Sequence, residues 1–125
     1  MLKKILIVDD SALIHHMFRM VLGRYKCDIV AAQNGKMGME KLAQHPDVEL
    51  VLLDINMPVM TGLEFIAKVK ELGIYEHIPI IIVSTEGEEE FTERGMALGA
   101  SGYVTKPVKP SDLHALIETI CATRG

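Results

Sequence analysis

The chain has 125 residues, 49% of them hydrophobic and 24% charged, with a formal net charge of −4 at pH 7. That length buries one core and is short for two, and the composition is that of an ordered globular protein rather than a disordered one. Lysines and arginines are scattered, so direct nucleic-acid binding is disfavoured. The apolar run at residues 5–8 is far short of a membrane span or a signal-peptide core, so no membrane insertion and a cytoplasmic location are expected.

In chain order, residues 4–8 form an apolar, β-branched segment read as a first strand, closed by Asp9 and Asp10. Ser11 is positioned to cap a helix whose expected inner face is Leu13, Met17, Met20 and Val21. Residues 28–32 read as a second strand, and residues 50–53 as a third that ends at Asp54. Thr61 and Glu64 have the spacing of a capping box, and Gly73 suits the end of that helix. Gly62 is expected to supply a backbone conformation that side chains disfavour, while Met57 and Pro58 shape the loop after Asp54.

A fourth strand at residues 78–83 precedes Ser84, and Glu88, Glu89 and Glu90 read as a solvated acidic first turn of a helix reaching about Leu98. Residues 102–104 form a fifth strand, followed by Lys106. The last helix opens with Pro110 and Asp112 and turns Leu113, Leu116, Ile117 and Ile120 inward. Strands without polar alternation, alternating with amphipathic helices, define an α/β fold: one doubly wound parallel sheet covered on both faces. A single domain, residues 1–125, fills the chain.

In such a sheet the site forms outside the carboxyl ends of the strands, where strand order reverses. There the sequence would converge three carboxylates (Asp9, Asp10, Asp54), a hydroxyl (Ser84) and an ammonium (Lys106). Clustered carboxylates repel unless a cation offsets them, which implies a hard divalent ion. Magnesium suits oxygen ligands shared with a phosphoryl group, and ligand type alone leaves calcium open. The lysine and hydroxyl would stabilise the oxygens of a transferring phosphoryl group, with one carboxylate as nucleophile. Taken singly, an acid pair is usually a solvated turn and a loop lysine usually faces water.

The runs at residues 5–11 (ILIVDDS), 52–58 (LLDINMP), 61–63 (TGL) and 102–107 (GYVTKP) resemble the signature blocks of the receiver domains of bacterial two-component signalling, and the likeness covers the whole chain. The resemblance, to a stand-alone, chemotaxis-regulator-like receiver, implies a flavodoxin-like five-stranded sheet in the order 2-1-3-4-5 with five helices. It implies that Asp54 is the phosphoacceptor, that Asp10 and Asp54 ligate Mg2+, that Asp9 acts partly through water, and that Asn56 offers its carbonyl. Ser84 and Lys106 would grip the phosphoryl oxygens. Ser84 and Tyr103 would act as the switch, signalling through helix 4, strand 5 and helix 5. Tyr103 also reads, from its residue type alone, as a strand residue anchoring the sheet edge. The resemblance implies a cis peptide bond before Pro107, where trans is the base-rate expectation.

The implied partners are a sensor histidine kinase or histidine phosphotransfer protein and an unidentified downstream effector. Thr85 departs from the small residue common in the family, and Asn56 and Glu86 flank the site where they would tune phosphoryl lifetime, although Glu86 also reads as a plain solvated loop residue. Cys27 and Cys121 match no metal spacing, and the histidines, including adjacent His15 and His16, form no site, although His16 or His114 could line a partner surface. The expected role is a phosphoacceptor switch, not an enzyme. A magnesium phosphohydrolase is the rival, disfavoured because the second residue after Asp54 is Asn56, which cannot shuttle a proton. The chain's start just before the first strand favours a stand-alone protein, with a receiver excised from a larger regulator as the alternative.

Overall fold

The computed structural model describes residues 2–124, in which strands and helices alternate: β1 (Lys4–Val8), α1 (Ala12–Val21), β2 (Asp28–Ala32), α2 (Gly35–Gln44), β3 (Leu50–Asp54), α3 (Gly62–Leu72), β4 (Ile80–Ser84), α4 (Glu89–Ala97), β5 (Gly102–Thr105) and α5 (Pro110–Arg124). The strands form one parallel sheet in the order β2-β1-β3-β4-β5. The α/β class, the strand order and the five helices expected from the sequence are all present. None of the described helices is long and apolar enough to cross a membrane.

The period-two geometry of a strand sorts its side chains into two cores. Leu6, Val8, Val51, Leu53 and Ile82 pack with Leu42 of α2 and Phe65 and Ile66 of α3. Ile5, Ile7, Leu52, Ile81 and Val83 pack on the opposite face with Phe18 of α1 and Leu113 and Ile117 of α5. Because both faces are covered, every position of β3 and β4 is buried, which explains strands that read as continuous apolar runs.

Helix boundaries follow local chemistry. The Ser11 side chain accepts from the Ile14 N–H, and Thr61 and Glu64 form the reciprocal capping box. Gly73 ends α3 at φ 71, in the left-handed region that costs glycine least. In α1 the structure corrects the expected inner face: Leu13 and Met20 are 74% and 71% exposed, while Phe18 is buried. Apolar side chains form one wide arc on this helix, and only its Ile14–Phe18 side meets the sheet while its Leu13–Met20 edge is left exposed. The contacts with the sheet run instead through Ile14 and Phe18 and on to Leu22 just past the helix end, with Met17 and Val21 alongside.

Gly62 is also corrected. It has no positive φ. A Cβ there would lie 2.6 Å from the Asp54 carbonyl oxygen and 2.7 Å from the Ile55 Cα, so the requirement is space for backbone approach. Strand limits shift by one or two residues: β3 includes Asp54, β4 runs Ile80–Ser84, and β5 reaches Thr105. Cys27 and Cys121 are free, half-buried thiols.

Candidate functional site

Strand order reverses between β1 and β3, which are neighbours because β2 lies on the far side of β1. Register aligns Val8 with Leu53, so Asp9 and Asp54 emerge side by side at the carboxyl end of the sheet. Their carboxylates and that of Asp10 each offer an oxygen within 4.8 Å of the others. Asp9 and Asp54 are buried at 1% and 6% exposure, and Asp10 faces solvent.

Lys106 approaches from the loop after β5. Its Nζ lies 3.2 Å from Asp9 Oδ2 and 3.9 Å from Asp54 Oδ1. Its backbone N–H donates to the Ser84 carbonyl, coupling the ends of β4 and β5, and the Lys106–Pro107 peptide bond is cis. Backbone donors complete the acid shell: the Ser11 N–H reaches Asp9 Oδ1 at 2.9 Å, and the Asn56 N–H reaches Asp54 Oδ1 at 3.3 Å.

One ammonium against three carboxylates leaves the site negative. Burial first, and then the Asp9 charge, push the Asp54 carboxyl up from its ordinary 3.8 to about 6, against the pull of Lys106 and the Asn56 N–H. A divalent cation would remove that repulsion. The donor set of three carboxylates suits an oxygen-seeking ion that keeps some of its waters. The residues present therefore fit Mg2+.

Ser84 is buried at the end of β4, beside Asp54 through the Asp54–Val83 register. Tyr103 is 53% exposed on β5, the edge strand, and with Ser84, Thr92, Met96 and Thr105 lines a groove between β5 and α4. Thr85, Glu86 and Asn56 are exposed. The acidic run keeps to its structural role: Glu88 accepts from the Thr85 N–H and Glu89 from the Gly87 N–H, holding the turn that leads into α4.

His15, assigned to no site from the sequence, is buried against the acid pair, its Nε2 lying 2.7 Å from the Asp9 carbonyl oxygen. The available signal was a histidine a few residues after an acid pair, at the start of the helix that follows them. His16 is exposed, and His114 is half-buried against Tyr25, whose hydroxyl lies 3.0 Å from its Nδ1.

A parallel sheet wound 2-1-3-4-5, with an acid cluster and a lysine at its switch point, defines a doubly wound, flavodoxin-like domain. The comparisons narrow that class. Residues 5–118 match the response regulator receiver domain, and the chain belongs to this family. It is 34% identical to a chemotaxis protein CheY homolog of Campylobacter jejuni over 96% of this chain and 93% of the relative. It is 33% identical to chemotaxis protein CheY1 of Helicobacter pylori over 96% and 98%. Among solved structures, chemotaxis protein CheY4 of Vibrio cholerae superposes with a TM-score of 0.84 at 32% identity, covering 95% of this chain and 98% of that one.

Proposed function

We propose that the chain is a phosphorylation-operated signalling switch of a two-component relay, with Asp54 as phosphoacceptor. The observation that carries this reading is the setting of Asp54: a buried carboxylate at the end of a central strand, between two further acids and a lysine. Asp9, Asp10 and Asp54, with the Asn56 carbonyl, would hold Mg2+, which when bound supplies positive charge to the phosphoryl oxygens. A carboxylate oxygen of Asp54 attacks phosphorus, an O–P bond forms, and the bond from phosphorus to the donor imidazole breaks. The imidazole keeps the electron pair and takes up a proton.

Lys106 is poised to meet the incoming phosphoryl group, because its ammonium already stands between Asp9 and Asp54. The Ser84 hydroxyl would donate to another phosphoryl oxygen, and Tyr103 would turn toward the space that Ser84 leaves. A population shift of this kind would alter the face formed by α4, β5 and α5. The donor is a sensor histidine kinase or a histidine phosphotransfer protein, and the reader is a downstream effector protein. This exchange would take place in the cytoplasm. Asn56, Thr85 and Glu86 would set how readily water reaches the acyl phosphate.

Incubation with Mg2+ and a small acyl phosphate tests this reading. One phosphoryl group per chain should accumulate, and chelation of the metal should prevent it. Continuous release of many equivalents of phosphate, with no adduct, would instead identify a phosphohydrolase.

A further inference from the structure

We propose that His15 is a positioning residue for the acid pair, acting through the backbone of Asp9. This rests on the reading of Asp9 and Asp10 as part of the magnesium-binding set. A carbonyl oxygen only accepts, so the 2.7 Å contact assigns the hydrogen to His15 Nε2, which donates it to the Asp9 carbonyl. The ring is buried at 9% exposure, and its Nδ1 has no hydrogen-bond partner among the described residues. One end of this imidazole is thus committed wholly to Asp9.

Every polar atom of Asp9 is thereby held. Its N–H donates to the Ala32 carbonyl of β2 at 3.0 Å, its Oδ1 accepts from the Ser11 N–H, its Oδ2 meets Lys106 Nζ, and its carbonyl meets His15. That carbonyl lies in the rigid peptide plane joining Asp9 to Asp10. Fixing the plane's tilt therefore fixes the direction in which both side chains leave the backbone. Without His15, the carbonyl would be a buried acceptor past the end of β1, and the plane could rotate to seek a donor. Outer contacts of this type commonly carry about tenfold or more in metal affinity.

Mg2+ itself is the probe, titrated into the unphosphorylated full chain and followed by amide chemical shifts. His15→Phe keeps the ring without its nitrogens, and His15→Gln keeps an N–H within reach. His15→Phe should bind Mg2+ about tenfold more weakly, and His15→Gln should recover most of the loss. The rate of labelling by acyl phosphate should return to the wild-type maximum at saturating Mg2+, which separates positioning from general damage to the fold. If His15→Phe fails to fold, the wild-type chain still decides. A slowly exchanging Nε2–H resonance for His15 supports the contact, and a rapidly exchanging or absent one overturns it. Equal Mg2+ affinity in wild type and a folded His15→Phe overturns this proposal alone. A wild-type chain that binds no Mg2+ overturns the magnesium reading with it.

Discussion

At the scale of single residues, Asp54 carries the sharpest expectation. Its carboxyl titrates near 6 in the folded chain against 3.8 when free, so ionisation opposes folding across that window. The stability this group allows is fully present below pH 3.8 and is lost as pH rises through 6. Asp54→Asn should therefore stabilise the metal-free protein at neutral pH by about 1–2 kcal/mol, read as a higher melting temperature. The gain should shrink toward pH 4 and should also shrink when Mg2+ is added to both proteins. An Asp54→Asn protein less stable than wild type at pH 7.5 would refute the electrostatic reading. Gly62→Ala places a methyl 2.6 Å from the Asp54 carbonyl and should cost about 1–3 kcal/mol in denaturant unfolding. The acids, the hydroxyl and the lysine were legible because each stands at a strand end. The reason for Gly62 was hidden, since close approach between α3 and the Asp54–Ile55 backbone is a tertiary fact. His15 was hidden likewise: only the packed helix shows that its ring reaches the Asp9 carbonyl.

At the scale of elements, strands and caps were readable to within one or two residues, and one helix face was not. Strands sandwiched between two helical layers show as apolar runs, and caps show as Ser11, Thr61 with Glu64, and Gly73. In α1 the sequence shows a wide apolar arc, and which edge of that arc meets the sheet is set by packing. The chosen face can be measured. Phe18→Ala should cost about 3–5 kcal/mol, whereas Leu13→Ala should stay within about 0.5 kcal/mol of wild type. Equal losses at the two positions would mean that α1 is rotated from the orientation described. Thr61→Ala should cost about 1 kcal/mol by opening the capping box, read as a shift in the denaturation midpoint.

At the scale of the whole molecule, the strand order assembles one site from residues as distant in sequence as Asp9, Asp54 and Lys106. Right-handed crossovers and a reversal after β1 make that assembly foreseeable. Partner choice was not foreseeable, because it depends on which exposed side chains surround the β5–α4 groove after folding. Tyr103→Ala should leave Mg2+-dependent labelling of Asp54 unchanged and weaken phosphorylation-dependent capture of an effector. The central claim, that Asp54 is the phosphoacceptor, is tested most directly by chemical mapping. Borohydride reduces an aspartyl phosphate to homoserine, so labelled and reduced protein can be digested and sequenced by mass spectrometry. Conversion at position 54 alone is the predicted result, and conversion at position 9 or 10 in place of 54 would contradict it.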